Sequence, residues 1–239
     1  MCAQIMYFMP KDIRILETAL GVSFVKIDLL KQAVVHRSFL NENRDFPLDH
    51  NERLEFLGDA VLELIVTEFL YVNYPNPEGE LTNWRASLVN SVMLGELAGR
   101  LKLNDFLYLS RGESKDTTSK ARLTILANAY EAIIGALYLD QGTGAVKTFI
   151  EKHVLSELPR ILKEKLYMDP KSRLQEMAQE KMGITPVYKV LKETGPDHAR
   201  EFVVGVYLGD GLGAEGQGMS KQEAQVEAAR KALEIKGWL

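Results

Sequence analysis

The spacing of apolar residues changes about two thirds of the way along this 239-residue chain, and that change constrains its fold most. Up to Leu158 apolar residues recur every three or four positions, which is typical of helices packed around a core. Asp169-Pro170 then indicates a helix start, a capping side chain followed by proline at the first helical position. Runs rich in β-branched and aromatic residues follow this helix. The sequence therefore predicts an all-α domain followed by an α+β domain of order α-β-β-β-α.

These patterns predict individual elements and domain bounds. Periodic apolar residues predict helices over Ile13–Leu20, Leu54–Leu70, Leu88–Leu101, Ile125–Leu139 and Val146–Leu162, with a turn at Gln141–Gly144. In the last third, the segments are a helix ending at Gly183, strands Val187–Leu191 and Glu201–Leu208, a segment Gly211–Gly218 that is a third strand or its turn, and a helix opened by Ser220. We expect an extension at 1–10, one domain at 11–158, a linker at 159–169 and a second domain at 170–239.

The charge and cysteine content limit the classes of function. The formal net charge of −4 excludes a global positive field, so a polyanionic partner must be held by local basic patches or by metal ions. The single cysteine excludes a disulfide scaffold and a cysteine-rich zinc site, and it suits a reducing cytosol. The start does not have the pattern of a secretory signal, and no apolar stretch is judged long enough to span a bilayer. We therefore expect a cytoplasmic protein with no membrane partner.

The most informative segment carries a row of carboxylates. Glu52, Glu55 and Asp59 stand at i, i+3 and i+7, so they share one helix face. Leu54, Leu57, Val61 and Leu64 are expected on the opposite face, in the core. Three carboxylates alone favour a solvated acidic face, but the aromatic Phe56 lies near them. This face therefore meets a partner subunit or a ligand, or it is a second packing surface within the domain.

A second helix repeats the arrangement. Asn128, Glu131 and Gly135 again follow i, i+3 and i+7, and Gly135 leaves room for the close approach of a helix or a ligand. Oxygen donors without accompanying cysteine or histidine are the ligands that Mg²⁺ or Mn²⁺ prefers. The two helices together predict a divalent-metal site.

The sequence resembles a known family at these residues. Asn51–Val61 resembles the signature of bacterial ribonuclease III, and Leu126–Asp140 resembles its second segment. His36-Arg37-Ser38 and Arg111-Gly112-Glu113 fit as well. The resemblance implies a Mg²⁺-dependent endoribonuclease, with Mn²⁺ as a possible substitute, that acts on double-stranded RNA as a homodimer and has no small-molecule substrate. It also implies 5′-phosphate and 3′-hydroxyl products, and a role in processing ribosomal RNA precursors and structured transcripts.

The resemblance also implies roles for single residues. Glu55 and Glu131 are expected metal ligands, and Asp59 is expected to be a ligand or to position water. Asp59 and Glu131 are the expected catalytic pair. Glu52 and Glu78 are expected at the rim, where they help metal or RNA, and Phe56 is expected to plug into the partner subunit.

Asn128 departs from the family, which usually has aspartate there. An amide keeps an oxygen for coordination but lacks the negative charge, so Asn128 is expected to be a weaker metal ligand. Three interpretations stay open: a natural variant that works, a change made to trap an uncut complex, or a degenerate enzyme. The alternative function is thus a weakened or inactive double-stranded-RNA-binding protein.

The segment from Pro170 to the C-terminus resembles a double-stranded-RNA-binding domain. Its ten basic side chains are matched by ten acidic ones, so RNA binding must come from geometry. The expected RNA contacts are Gln175 and Gln179 on the first helix, His198 between the first two strands, and Ser220 and Lys221 at the start of the last helix. Taken singly, each is better explained as an ordinary surface residue, but together, in this order, they favour RNA binding. Lys115, Lys120 and Arg122 in the first domain either add RNA contacts or belong to a solvated loop.

Overall fold

The computed structural model describes residues 12–196 and 200–238, and the chain divides into two compact units, Met1–Arg160 and Ile161–Leu239. The first unit is helical, as predicted. Its helices are α1 Ile13–Leu20, α2 Ile27–Ala33, α3 Arg37–Glu42, α4 Glu52–Asn73, α5 Glu78–Val89, α6 Ser91–Arg100 and α7 Lys120–His153. Helix α8, Leu158–Glu164, crosses the division between the units. Short 3₁₀ turns occupy Leu103–Asp105, Glu113–Lys115 and Leu155–Glu157.

The crossing of α4 and α7 is the centre of the first unit. A Cβ added at Gly58 of α4 would overlap the backbone carbonyl of Glu131, and one added at Gly135 of α7 would overlap that of Leu54. The two glycines therefore let the helix backbones approach more closely than any side chain would allow. The sequence predicted such an approach for Gly135, and the structure confirms it.

The start of α4 is fixed by a buried polar residue. Asn51 is buried and donates its side-chain amide to the carbonyl of Ala33 over 3.1 Å, while its backbone N–H bonds the carbonyl of Val35 over 2.9 Å. A buried amide without these partners would cost free energy, so the bonds hold α4 in one place relative to the end of α2. The phase of the acidic face of α4 follows from this attachment.

Several predicted elements differ from the structure. The predicted helix Leu88–Leu101 is broken at Asn90, whose side chain caps α6 by accepting the N–H of Met93 over 2.9 Å. The predicted turn at Gln141–Gly144 is present only as a kink at Gly142, with φ 75° and ψ −172°, where two helical segments meet within α7. Helices α2, α3 and α5 were not predicted. Seven and six residues give too short a periodic pattern in α2 and α3, and the twelve residues of α5 bury only Trp84 and Leu88, so they show no clear apolar period.

The buried face of α4 also differs from the prediction. Leu54 and Val61 are buried as expected, but Leu57 is half-buried and Leu64 is exposed. The expectation that Leu64 lies in the core was wrong, because the close crossing at Gly58 turns the buried stripe toward Leu62 and Ile65. Leu64 is therefore left on the surface of this unit.

Two residues near the kink of α7 fasten it to the N-terminus of α2. The carboxylate of Asp140 accepts the backbone N–H groups of Val25 and Lys26, each over 2.8 Å. Gln141 donates its side-chain amide to the carbonyl of Ser23 over 2.6 Å. Since α2 has no side-chain cap of its own, Asp140 supplies one from a distant part of the chain.

One helical stretch of the described residues, Lys120–Glu164, is long and apolar enough to cross a membrane by length and composition alone. The expectation that no apolar stretch is long enough to span a bilayer was therefore wrong for this stretch, which meets the criteria of length and composition. Of its apolar window 61% is buried inside the protein, which is typical of a core helix.

The second unit has the predicted α-β-β-β-α order. Helix α9 spans Pro170–Met182, strands β1, β2 and β3 span Val187–Thr194, Glu201–Leu208 and Gly211–Gly218, and helix α10 spans Lys221–Lys236. The strands form one antiparallel sheet in the order β1-β2-β3, so Gly211–Gly218 is a strand and not a turn. Apolar residues of β2 and β3 pack against small residues of α10 and against Leu174 of α9. Gly216 is required on β3, since a Cβ there would overlap the backbone of α10.

Candidate active site and nucleic-acid interface

The crossing of α4 and α7 brings four polar side chains together. We call Glu55, Asp59, Asn128 and Glu131 the acidic cluster. The side-chain amide of Asn128 hydrogen-bonds the Glu55 carboxylate, and the charges of Glu55 and Asp59 act on Glu131. The two carboxylate-bearing segments singled out in the sequence therefore meet in space, and the roles of these residues stay predictions.

The electrostatics of the acidic cluster are unfavourable in the absence of a cation. Burial, followed by repulsion from Asp59 and Glu55, raises the pKa of Glu131 to about 7. Burial, followed by the charge of Glu52, also raises the pKa of Glu55, and the hydrogen bond with Asn128 opposes this rise. Both shifts have the direction that a bound positive charge would reverse.

The donor set fits a hard divalent cation. Three carboxylates and one amide oxygen are ligands that Mg²⁺ or Mn²⁺ accepts. Across residues 12–196 and 200–238, no group of three or more His, Cys, Asp or Glu side chains is already closed into metal-binding geometry. Two reasons account for this. Carboxylates repel one another at close range until a cation lies between them, and the fourth donor of the acidic cluster, Asn128, is an amide and so is not one of these residue types. The raised pKa of Glu131 is the observation that favours a cation here.

The expected rim residues lie in different places. The Glu52 carboxylate beside the acidic cluster is exposed, lies 3.3 Å from the Arg37 guanidinium and 3.7 Å from His50, and adds to the pKa rise of Glu55. Glu78 is the exposed first residue of α5 and lines a groove with Tyr71 and Arg85. Glu78 is not among the described groups whose charge shifts the pKa of Glu55 or of Glu131. Within a single copy of the chain, Glu78 is therefore not part of the acidic cluster.

Phe56 is exposed, as its predicted role requires. Its side chain is 80% exposed on α4, next to Glu55. Leu64 and Tyr71 on the same side of α4 are 67% and 78% exposed. We call Phe56, Leu64 and Tyr71 the apolar stripe of α4. An exposed apolar row of this kind is typical of a surface that meets a partner.

Arg122 does not belong to a solvated loop. It is only 2% exposed, and its guanidinium donates to the backbone carbonyls of Glu113 and Asp116. These bonds fold the segment before α7 onto the helix start, which Ser119 caps by accepting the N–H of Arg122 over 3.1 Å. Lys115 and Lys120 of the same segment are exposed.

The expected RNA contacts of the second unit lie on its surface where they are described. Gln175 and Gln179 are exposed on α9, and Gln175 lines a small groove with Lys171 and Gln222 of α10. Ser220 caps α10 by accepting the N–H of Glu223 over 3.1 Å, and the Lys221 ammonium lies 5.6 Å from the Phe202 ring centroid. His198 lies outside the described residues.

Sequence reasoning missed three residues that shape these sites. Gly58 carried a usable signal, because a glycine within a long helical pattern indicates a close packing contact. Asn51 and Arg122 carried none, because buried polar residues look like surface residues until their partners are known. Arg173, counted among the basic residues, is likewise buried and donates to the carbonyl of Trp238 over 2.9 and 2.7 Å.

Comparisons with known proteins agree on both units. A family model described as Ribonuclease-III-like matches residues 26–158, and one described as Double-stranded RNA binding motif matches residues 170–236. The protein named Ribonuclease 3 of Bdellovibrio bacteriovorus is 44% identical over 92% of this chain and 94% of its own length. The protein named Ribonuclease 3 of Oceanobacillus iheyensis is 45% identical over 93% of this chain and 97% of its own length.

A solved structure is similar to the first unit. The nuclease domain of ribonuclease III from Campylobacter jejuni superimposes with a TM-score of 0.55 at 38% identity, covering 62% of this chain and 99% of that one. That structure is described as showing flexibility in a region involved in dimer formation.

Proposed function

This chain belongs to the ribonuclease III family of endoribonucleases that act on double-stranded RNA, and we propose that its acidic cluster binds the Mg²⁺ ion at which the duplex is hydrolysed. The family is a metal-dependent one, and Mn²⁺ is a suitable substitute for Mg²⁺. The observation that carries the proposal is the meeting of Glu55, Asp59, Asn128 and Glu131 across the crossing of α4 and α7.

The side chains of the acidic cluster take distinct roles in this proposal. Glu55, Asn128 and Glu131 hold the ion, since Asn128 hydrogen-bonds the Glu55 carboxylate and the backbone of Glu131 lies at the close approach of α4 and α7. Asp59 is exposed, so it reaches the solvent side, where it binds the ion or orients the attacking water. When bound, a divalent cation stabilises the negative charge that develops on a phosphodiester. The products carry 5′-phosphate and 3′-hydroxyl ends.

The second unit holds the duplex. It has the fold and family match of a double-stranded-RNA-binding motif. Its balanced charge gives little long-range attraction, so we assign recognition to local contacts by Gln175, Gln179, His198, Ser220 and Lys221. In the first unit, Glu52 and Glu78 contact the RNA or the metal from the rim.

The working enzyme is a homodimer in this proposal. The apolar stripe of α4 supports a partner surface, and Phe56 is its most exposed member. Two-fold symmetry places two acidic clusters against one duplex, so both strands can be cut. We further propose that the enzyme is cytoplasmic and processes ribosomal RNA precursors and other structured transcripts.

Cleavage of a long RNA duplex in Mg²⁺ tests this function. The full chain is expected to shorten the duplex and to leave 5′-phosphates, which a phosphatase-dependent labelling assay detects. Glu131→Gln is expected to lower cleavage by about 100-fold or more while duplex binding is retained. Glu151→Gln, on the exposed part of the same helix, is the control and should cleave normally. A Glu131→Gln variant that cleaves at the normal rate would refute the assignment of the site.

Asn128 supports a second candidate, a duplex-binding protein that does not cleave. An amide in the acidic cluster contributes less attraction for a cation than a carboxylate would. If the chain binds duplex RNA but leaves it intact in excess Mg²⁺ and in Mn²⁺, this second candidate replaces the first.

A further inference from the structure

A cavity of about 550 Å³ in the first unit lies outside the acidic cluster. Its walls come from the end of α3, the segment around the 3₁₀ turn Leu103–Asp105, the turn Glu113–Lys115 and the start of α7. A volume between about 300 and 1,000 Å³ is typical of sites for small organic ligands. None of the four side chains of the acidic cluster lines this cavity.

Two residues that line the cavity each carry a buried polar atom without a hydrogen-bond partner among the described residues. The two atoms are Nη1 of Arg122 and Oδ1 of Asn104. The Arg122 side chain is almost fully buried, and its Nε and Nη2 are already engaged by backbone carbonyls. An unpartnered guanidinium N–H in such a position costs free energy, and an anionic oxygen is its strongest acceptor. A donor group on the same ligand would pair with the Asn104 oxygen.

The rest of the wall defines the ligand further. Among the described residues of the lining, Arg111, Lys115 and Arg122 stand against one acidic residue, Glu42, so the lining favours an anion. The rings of Phe39 and Tyr108 also line the cavity, with their centroids 5.2 Å apart. Aromatic rings beside cationic groups suit a ligand that has a flat ring and a negative charge.

From these contacts we infer that the cavity binds a nucleoside monophosphate, with its phosphate near Arg122 and Lys115 and its base near Tyr108 and Asn104. The base supplies the N–H donor that Asn104 needs, and the phosphate supplies the acceptor that Arg122 needs. The nucleotide comes either from solution or from the 5′-phosphorylated end of an RNA strand. This binding does not depend on the proposed cleavage, because it uses no residue of the acidic cluster.

Titration calorimetry of the full chain in EDTA tests the inference with three probes: AMP, adenosine and inorganic phosphate. AMP is expected to bind at one site per chain, about tenfold more tightly than either fragment, because only AMP satisfies both ends of the cavity. Hydrogen exchange is expected to slow in residues 104–117 when AMP is present. A 5′-phosphorylated tetranucleotide that binds at least as tightly as AMP identifies a strand end as the source, and AMP binding alone identifies the free nucleotide.

Substitutions of two lining residues locate the binding site. Lys115→Glu is expected to weaken AMP binding by about tenfold, and Asn104→Leu by several-fold. Lys102→Glu, an exposed lysine outside the lining, is the matched control and should bind AMP normally. The inference fails if AMP does not bind at millimolar concentration, if phosphate alone binds equally well, or if Lys115→Glu and Lys102→Glu behave alike.

Discussion

Asn128 is the neutral member of the acidic cluster, and it hydrogen-bonds the Glu55 carboxylate. Asn128→Asp adds a negative charge where three carboxylates already meet, so attraction for a divalent cation increases. We expect the Mg²⁺ concentration for half-maximal cleavage of duplex RNA to fall by about tenfold, which corresponds to about 1.4 kcal/mol.

The control for this titration is Asn83→Asp, which adds the same charge at an exposed position of α5 outside the cluster. It should leave the Mg²⁺ requirement unchanged. An unchanged requirement in Asn128→Asp itself would mean that Asn128 is not a ligand.

Glu131 makes the stability of the metal-free protein depend on pH. Its folded pKa of about 7 lies above the ordinary value of 4.5, so between these pH values the folded chain keeps a proton that the unfolded chain releases. The free energy of unfolding should therefore decrease as pH rises from about 4.5 to about 7, and this contribution should stay constant above that. Because the side chain is partly exposed, we expect a loss of only about 1 kcal/mol.

Thermal unfolding in EDTA at about pH 5 and about pH 7.5 measures this loss. Glu131→Gln cannot carry the charge, so its midpoint should fall less than that of the unchanged chain between the two pH values. Glu151→Gln, exposed on the same helix, should behave like the unchanged chain. Equal pH dependence in all three proteins would contradict the cause given for the pKa of Glu131.

At this scale the sequence predicted which residues gather but not how they are held. Helical spacing put Glu55 and Asp59 on one face and Asn128 and Glu131 on another, and the structure brings the two faces together. Arg122 escaped prediction, because its burial depends on carbonyls of a segment that has no regular periodicity. The roles assigned to these residues in metal and RNA binding stay predictions.

Helices α4 and α7 depend on two glycines at the level of the element. Gly58→Ala places a methyl group against the carbonyl of Glu131, so the helices must separate or shift. We expect a cost of about 2 kcal/mol and a fall in melting temperature of about 4–8 °C. Cleavage should fall as well, because the separation pulls Glu55 away from Glu131.

Gly144 provides the matched control for this substitution. It lies in α7 as well, but no atom of the described residues stands within 4 Å of an added Cβ. Gly144→Ala should leave the melting temperature unchanged or raise it slightly. If Gly58→Ala melts like Gly144→Ala, the close crossing is not needed for stability.

The N-terminus of α10 is expected to contact RNA phosphates. Lys221→Ala should weaken duplex binding about equally for all sequences and lower the slope of log K against log salt by about 1. Lys236→Ala, at the opposite end of α10, is the control and should change neither quantity. Filter binding at several salt concentrations measures both. An unchanged slope in Lys221→Ala would exclude a phosphate contact there.

Element type was more predictable than element bounds. Both strands predicted in the second unit exist, and Gly183 ends α9 with φ 67°, as its position indicated. The break at Asn90 was missed because apolar residues continue through it at helical spacing, although asparagine is a strong capping residue. The predicted turn at Gln141–Gly144 exists as a kink at Gly142, but its bounds were too wide, since the helix resumes directly after that residue.

At the scale of the whole molecule, the apolar stripe of α4 is the expected contact between two copies. Phe56→Asp puts a charge into that contact and should shift the protein from dimer to monomer in sedimentation velocity. Val25→Asp puts a charge in place of another apolar side chain, which is 82% exposed on a different part of the same unit. This control should leave the mass of the oligomer in sedimentation unchanged. A Phe56→Asp variant that stays dimeric would place the contact elsewhere.

The fastening of α7 to α2 by Asp140 limits how this gene can change. Glu131 and Asp140 lie on one unbroken helical segment, fixed upstream by the Gly58–Gly135 crossing and downstream by the two amides at the start of α2. Each inserted or deleted residue would rotate one fixed point about 100° relative to the other. We therefore expect the number of residues between Glu131 and Asp140 to be the same in any working copy, and an in-frame insertion or deletion of a single codon in this interval should abolish function.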